Sequence, residues 1–262
     1  MVRRAASSPP VVFGVAGHLL RWRLLQELAW SDRRVRELVE SLGEPQPLVS
    51  YHLRRLKSAE LVSVRRSSFD GRDSYYGLRL GRFGELLTAA GEELHPGLRL
   101  SPPATPTPRR SERPLRVLFL CTGNSARSQI AEALMRRRSC GSVEAFSAGS
   151  HPKPLHPNAV RAVRARGIGT PDLRPKHFDE VARRQFDYLV SLCDRVREVC
   201  PELPAGPRLI HWSIPDPASV PGSLDDTYPV FEEIANELES RIDFLLHLIA
   251  RDHDRPQEVS SR

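Results

Sequence analysis

A proline-rich segment divides the chain into two parts. Residues 101–114, SPPATPTPRRSERP, contain five prolines in fourteen positions and no periodic pattern of apolar residues. Because proline fixes φ and has no amide hydrogen to donate, such a segment favours an extended, semi-rigid spacer over a helix or strand. We therefore predict a first domain at residues 1–100, a linker at 101–114, a second domain at 115–250 and a flexible tail at 251–262.

Charge and cysteine content narrow the class of protein. Residues 1–100 hold 16 lysines and arginines against 11 acidic residues, whereas the remainder holds 23 against 21. A basic first domain indicates an acidic partner, most commonly nucleic acid. The four cysteines have the spacing of neither a disulfide scaffold nor a metal site. With no recognisable signal peptide and no membrane-spanning run, we expect a cytoplasmic protein that does not bind membranes.

The first domain has the pattern of a winged helix-turn-helix. Three amphipathic helices are predicted, the second with Ser31 as its N-cap and Gly43 as its stop, and the third with Leu48, Leu53 and Leu56 turned inward. Two strands around the turn DGRD form a basic wing. The third helix would enter the major groove of double-stranded operator DNA, and the wing would contact phosphate or the minor groove. The candidate DNA-binding residues are Ser50, Tyr51, His52, Arg54, Arg55, Arg65, Arg66 and Arg72.

A small helical domain with a solvated basic face is the alternative for this part of the chain. The order of the helices, the hairpin and the positive charge all favour the DNA-binding interpretation.

Strands and helices alternate in the second domain. LRVLFLC, VEAFSAG, YLVSLC and RLIHWS are predicted strands, and helices are predicted near residues 125–138, 156–166 and 227–250. This alternation predicts an α/β three-layer domain with a four-stranded parallel sheet. The fold class is thus a winged helix-turn-helix (α+β) domain followed by an α/β domain. In such sheets, functional side chains gather at the carboxyl ends of the strands.

The segment CTGNSARS follows the first of these strands and contains a Cys-x5-Arg pair. Backbone N–H groups of such a loop converge on a tetrahedral oxyanion, and the following helix adds its positive end. This environment favours the thiolate of Cys121, which is the nucleophilic form, while Arg127 grips two oxygens of the anion. The predicted oxyanion-binding loop consists of Thr122, Gly123, Asn124, Ser125, Ala126, Arg127 and Ser128.

Asp216 is the candidate general acid. It lies between two prolines in WSIPDPA, on a stiffened loop after the last strand, and is suited to protonating a leaving oxygen. An ordinary turn aspartate is the alternative, because aspartate is also a preferred turn residue.

LVSYHLRRLKSAELVSVRRSSFDGRDSYYGL resembles the arsenic-responsive repressor (ArsR) family of dimeric winged-helix proteins. The resemblance implies a homodimer formed through the first domain and an operator DNA as partner. Members of this family that sense arsenite do so through clustered cysteines, and residues 1–120 contain none.

Residues 115–249 resemble two families with a common fold, the low-molecular-weight tyrosine phosphatases and the thioredoxin-coupled arsenate reductases. LVSLCDRVREVCPELP favours the reductases, because Cys193 and Cys200 have the spacing of their relay cysteines. The resemblance implies arsenate as substrate, thioredoxin as electron donor, and no metal or tightly bound cofactor. In the implied relay, Cys121 attacks arsenate, Cys193 attacks Cys121, and Cys200 attacks Cys193.

Two other functions remain open at this point. One is a protein-tyrosine phosphatase fused to a winged-helix regulator, and the other is a non-catalytic regulator that responds to an oxyanion or to arsenite. For the phosphatase, Cys193 and Cys200 would be two ordinary buried thiols. The intact set of Cys121, Arg127, Asp216, Cys193 and Cys200 weighs against the non-catalytic regulator.

Overall fold

The computed structural model describes residues 8–98, 114–199 and 206–254. The chain divides into two compact units, Met1–Pro102 and Pro103–Arg262. Most of the predicted linker, and residues 255–262 of the predicted tail, lie outside the described residues. Within the described ranges, no helix is long and apolar enough to cross a membrane.

Within residues 8–98, helices pack with a three-stranded antiparallel sheet whose strand order is β1-β3-β2. The elements are α1 Val11–Ala16, α2 Leu19–Leu28, β1 Arg33–Arg34, α3 Val35–Leu42, α4 Gln46–Ser58, β2 Val62–Arg66, β3 Ser74–Leu78 and α5 Leu80–Leu94. β2 and β3 form the predicted wing, with Val64 opposite Tyr76. The winged helix-turn-helix predicted from the sequence is confirmed.

Leucines from α2, α3 and α4 form the core of this unit, and Leu24, Leu38 and Leu53 are among its fully buried side chains. The prediction that Leu48 is turned inward is wrong, because its side chain is 40% exposed while the neighbouring Val49 is buried. α4 buries residues 49, 52, 53 and 56, which share one helix face at the spacing of three and four residues. Leu48 lies one position off that face.

α3 begins later than the sequence predicts. Its N-cap is Arg34 rather than Ser31, because Arg33–Arg34 are drawn into the sheet as β1, opposite Tyr76 and Tyr75. The Glu37 carboxylate accepts a hydrogen bond from the Arg34 backbone amide at 2.8 Å, which caps the helix. The predicted stop at Gly43 is confirmed: its φ of +67° is left-handed and suits glycine.

α1 and α5 have no counterpart among the predicted elements. Together with α2 they line an apolar groove to which Phe13, Leu19, Trp22 and Phe83 contribute. Phe13, Leu19 and Trp22 are exposed within residues 8–98. This unit therefore presents a continuous apolar surface beside its core.

The second unit contains a parallel sheet with the strand order β5-β4-β6-β7. Its elements are β4 Leu115–Cys121, α6 Arg127–Arg138, β5 Val143–Gly149, α7 Pro157–Ala165, β6 Tyr188–Ser191, α8 Asp194–Val199, β7 Arg208–His211 and α9 Leu224–Asp254. The predicted α/β fold with a four-stranded parallel sheet is confirmed. α9 extends to Asp254, past the point where the sequence predicts a flexible tail.

β4 occupies a central position in this sheet. It pairs with β5 on one side and with β6 on the other, so Val117 lies beside both Ala145 and Tyr188. The strand is an uninterrupted apolar run after its first residues and is buried from Val117 onward. Its carboxyl end delivers Cys121 to the edge of the sheet where β6 and β7 also end, which is where parallel sheets place their sites.

Candidate active site

The loop from β4 to α6 wraps around the Cys121 thiol. Cys121 is buried, and α6 begins at Arg127. Asn124, in the middle of the loop, has a φ of +42°, a left-handed conformation that asparagine adopts more readily than most L-residues. Hydrogen bonds to both its backbone and its side chain hold it in this conformation.

Asn124 connects the loop to the thiol and to the neighbouring strand. Its backbone amide donates to Cys121 Sγ at 3.2 Å, and its Nδ2 donates to the hydroxyls of Ser128 and Ser147, each at 2.9 Å. Its Oδ1 accepts from Gln129 Nε2 at 2.9 Å. Ser128 Oγ lies 2.9 Å from Cys121 Sγ. Because the Ser128 hydroxyl accepts a hydrogen bond from Asn124, its own proton is available for a hydrogen bond to the sulfur.

A second segment fixes the backbone of the loop. The amides of His151, Lys153 and His156 donate to the carbonyl oxygens of Thr122, Gly123 and Ser125 at 2.9, 2.9 and 3.0 Å. Gly149 precedes this segment at the end of β5, and a Cβ atom there would lie 2.6 Å from the Thr122 carbonyl oxygen. Glycine is therefore required for the close approach of the two backbones. No sequence motif indicated this support.

A buried ion pair lies behind the loop. Lys176 Nζ contacts Glu132 Oε2 at 3.0 Å, and both side chains are buried. Ser147 and Arg136 also hydrogen-bond the Glu132 carboxylate. The Lys176 backbone amide donates to Asn124 Oδ1 at 2.7 Å. Lys176 and Arg136 thus supply the positive charge that pairs with the buried Glu132 carboxylate. Among the described residues, there is no cluster of three or more side chains suited to a metal ion.

Arg127 and Asp216 meet at the mouth of the loop. Arg127 is buried, and its Nη1 donates to the Ile214 carbonyl oxygen at 2.9 Å. Its Nη2 lies 3.3 Å from Asp216 Oδ2, and the Asp216 side chain is 45% exposed. Asp216 also accepts from the Ala218 amide at 3.3 Å, so it caps a short turn as well. The arginine links the loop to the segment that carries the candidate acid.

A second thiol lies beside the loop. Cys193 is buried immediately before α8, and its Sγ lies 3.3 Å from Thr122 Oγ1. Burial raises the pKa of the Cys193 thiol above its ordinary value, while Arg127 and the Thr122 hydroxyl act in the opposite direction. Cys200, the predicted relay partner, lies outside the described residues. Cys140 is exposed at the end of α6.

The candidate DNA-binding residues divide by exposure. Most of them are exposed or half-buried on α4 and on the wing: Ser50, Tyr51, Arg54, Arg55, Arg65, Arg66 and Arg72. His52 does not belong to this set, because its side chain is only 4% exposed. It lies on the core face of α4, and its ring packs on His18 with the centroids 4.4 Å apart. A residue on that face is unavailable to a groove of DNA.

Comparison with known proteins identifies both parts. Residues 116–255 match the family model described as "Low molecular weight phosphotyrosine protein phosphatase". The chain belongs to this family. Residues 20–64 match the model "Bacterial regulatory protein, arsR family". The chain is therefore a fusion of an ArsR-family helix-turn-helix domain with a domain of the phosphatase family.

Relatives of the second domain are arsenate reductases. That of Halalkalibacterium halodurans is 33% identical over 126 residues, which cover 48% of this chain and 91% of the relative. That of Brevibacillus brevis is 36% identical over 126 residues, or 48% of this chain and 90% of the relative. A solved structure, "An arsenate reductase in the phosphate binding state", aligns with 52% of this chain and 98% of its own at 25% identity and a TM-score of 0.45.

Proposed function

We propose that the second domain reduces arsenate to arsenite and that the first domain binds operator DNA as a dimer. The observation that carries the reductase proposal is the buried Cys193 thiol, whose Sγ lies 3.3 Å from the loop residue Thr122. Hydrolysis of a phosphate ester needs only the Cys121 nucleophile, whereas reduction of arsenate needs two electrons. A second thiol at the rim of the oxyanion loop supports the reductase proposal, because two thiols together release two electrons when they form a disulfide.

In the first step, the Cys121 thiolate attacks arsenate bound by the loop amides and Arg127. An As–S bond forms, and an As–O bond breaks as Asp216 gives its proton to the departing oxygen, which leaves as water. Asp216 is suited to this role because the 3.3 Å contact with Arg127 Nη2 holds it at the mouth of the loop.

In the second step, Cys193 Sγ attacks Cys121 Sγ. The S–S bond forms as the As–S bond breaks with its electron pair on arsenic, so two thiols are oxidised and arsenic(V) becomes arsenite. The proton of Cys193 passes to the departing arsenite. Cys200 then attacks Cys193, releasing Cys121, and a dithiol reductant such as thioredoxin reduces the Cys193–Cys200 disulfide. We place this chemistry in the cytoplasm, where such reductants keep thiols reduced.

The test is arsenate-dependent NADPH oxidation in the presence of thioredoxin and thioredoxin reductase. The wild-type chain should turn over repeatedly, and Cys121→Ser, Cys193→Ser and Cys200→Ser should each abolish multiple turnover. Cys140→Ser is the matched control and should keep full activity, because its thiol is exposed at the far end of α6.

Hydrolysis of p-nitrophenyl phosphate, run alongside, separates the reductase from a phosphatase. Efficient hydrolysis without arsenate reduction would assign the chain to the phosphatases instead. Full thioredoxin-dependent activity in Cys200→Ser would contradict the relay.

For the first domain, the exposure of Tyr51, Arg54 and Arg55 on α4 supports the proposal that this helix reads a major groove. The apolar groove of α1, α2 and α5, with Phe13 and Trp22 exposed, supports a homodimer formed through this domain. A dimer of this kind would bind two related half-sites.

Operator binding at increasing salt tests this proposal. Arg54→Ala and Arg65→Ala should weaken binding, whereas Arg164→Ala, which removes an exposed arginine of the second domain, should not. Trp22→Asp should shift the protein to monomer in sedimentation. Equal affinity for specific and random duplex at moderate salt would contradict the regulator assignment.

A further inference from the structure

A buried polar cluster lies at the carboxyl ends of β6 and β7, outside the groups used in the steps above. His211 Nε2 lies 3.1 Å from Asp194 Oδ1, and the two side chains are 2% and 4% exposed. His211 Nδ1 lies 2.9 Å from the hydroxyl of Ser191, which is its neighbour across the β6–β7 pairing. Because an ionised carboxylate only accepts hydrogen bonds, the Nε2 proton belongs to the bond with Asp194.

This cluster joins the chain one residue after Cys193. Asp194 is the first residue of α8, so the bond to His211 ties the start of that helix to β7. On the other side of Cys193, the Leu192 amide donates to the Leu120 carbonyl oxygen at 2.7 Å, and Arg127 Nη1 contacts the Leu192 carbonyl oxygen at 3.5 Å. The backbone is thus held on both sides of the thiol.

We infer that His211 is a positioning residue for the second thiol: through its buried bond to Asp194, it fixes the start of α8 so that Cys193 stays aligned with Cys121. The inference rests on the proposed arsenate reduction. The physical effect of His211 is geometric. Its Nε2 donates a hydrogen bond to a buried carboxylate, which would otherwise lose this partner and have to move, and the start of α8 would move with it.

The experiment is a single turnover with arsenate in a full-length Cys200→Ser background, where the reaction stops at the Cys121–Cys193 disulfide. No external reductant is needed, because the two thiols supply both electrons. Disulfide formation is followed by mass and arsenite release by chromatography. His211→Ala should slow the step roughly 10- to 100-fold, the range expected when a reacting group is misplaced by about 1 Å.

Hydrolysis of p-nitrophenyl phosphate reports on Cys121, Arg127 and Asp216 without Cys193, and it should remain close to the parent rate. His211→Gln keeps an N–H donor for Asp194 and should restore most of the disulfide rate. His247→Ala, which removes a half-buried histidine of α9, is the matched control and should leave both rates unchanged.

The outcomes separate this inference from the proposed function. If the parent forms no disulfide with arsenate, arsenate reduction itself fails and the inference falls with it. If the parent forms the disulfide and His211→Ala does so at the same rate, only the inference is overturned. An equal loss of p-nitrophenyl phosphate hydrolysis in His211→Ala, or no recovery of the disulfide rate in His211→Gln, would indicate that His211 supports the general stability of the domain. Either result would also overturn the inference.

Discussion

Two buried thiols differ in what surrounds them. Cys121 Sγ has the Ser128 hydroxyl at 2.9 Å and the Asn124 amide at 3.2 Å. Cys193 Sγ lies 3.3 Å from the Thr122 hydroxyl. Burial is the largest influence on the pKa of Cys193 and raises that pKa. In the proposed relay, Cys121 acts first on the oxyanion and Cys193 acts second on a sulfur. Cys193 therefore does not attack the oxyanion itself, and its environment does not have to bind an anion.

The raised pKa of Cys193 predicts how its reactivity depends on pH. At neutral pH the thiol is mostly protonated, and the thiolate fraction rises about tenfold per pH unit until the pKa is reached. In a variant that keeps only Cys193, the rate of alkylation by iodoacetamide should therefore rise continuously from about pH 7 to about pH 9. A rate that is flat across this interval would contradict the assignment.

Thr122 provides the matched substitution for this measurement. Its hydroxyl lowers the pKa of Cys193 against the effect of burial. Thr122→Val should slow alkylation at neutral pH roughly fivefold, as expected for the loss of a hydrogen bond that contributes about 1 kcal/mol. Thr122→Ser keeps the hydroxyl and should remain close to the parent.

At the scale of elements, the proposed cysteine relay requires α8 to change its conformation. The helix Asp194–Val199 lies between the two candidate relay cysteines. Cys193 and Cys200 are seven residues apart in the sequence, which corresponds to about 10.5 Å along a helix at ~1.5 Å per residue, whereas a disulfide needs its two Cα atoms within about 4.4–6.8 Å. A Cys193–Cys200 disulfide is therefore incompatible with this helix.

We predict that oxidation unwinds residues 194–199 into a loop and moves the disulfide outward to a reductant. Arg195, Arg197 and Glu198 contribute charged side chains to this segment, and among residues 194–198 Val196 is the apolar side chain that unwinding would remove from the core. Amide hydrogen exchange of the reduced and oxidised forms measures the change, with α7 as the unchanged reference. Equal protection of residues 194–199 in both forms, with the disulfide confirmed by mass, would show the prediction to be wrong.

At the scale of the whole molecule, the cysteines are confined to one domain. Residues 1–120 contain none, and all four lie in the phosphatase-family part of the chain. Arsenite binds proteins chiefly through thiolates, which are its soft ligands. If arsenite controls DNA binding in this protein, the thiols of the second domain must carry the signal.

Replacing all four cysteines by serine in the full-length chain tests where sensing occurs. The variant should bind operator DNA with the same affinity in the presence and absence of arsenite, because the DNA-binding domain has no thiol of its own. Gel-shift titrations with the wild-type chain in parallel provide the comparison. An arsenite-induced loss of DNA binding by the cysteine-free chain would show that sensing does not depend on the thiols of the second domain.

Short apolar runs and strong local motifs were sufficient to predict much of the second domain. The predicted strands LRVLFLC and VEAFSAG coincide with β4 and β5, because each is a compact apolar segment bounded by polar or turn residues. Strand–helix alternation led to the parallel sheet. The Cys-x5-Arg spacing after β4 predicted the loop that folds around Cys121, since those residues are contiguous in the chain.

Contacts between distant residues decided the rest. Arg33–Arg34 became a strand and displaced the predicted cap at Ser31, because Tyr75 and Tyr76 lie beside them in the folded sheet. His52 turned inward because α4 packs its core face near His18. The bond between His211 and Asp194 joins two elements that are adjacent only once β6 and β7 pair. A local pattern records the periodicity of one segment, but pairing and burial depend on which other segment the tertiary fold brings to it.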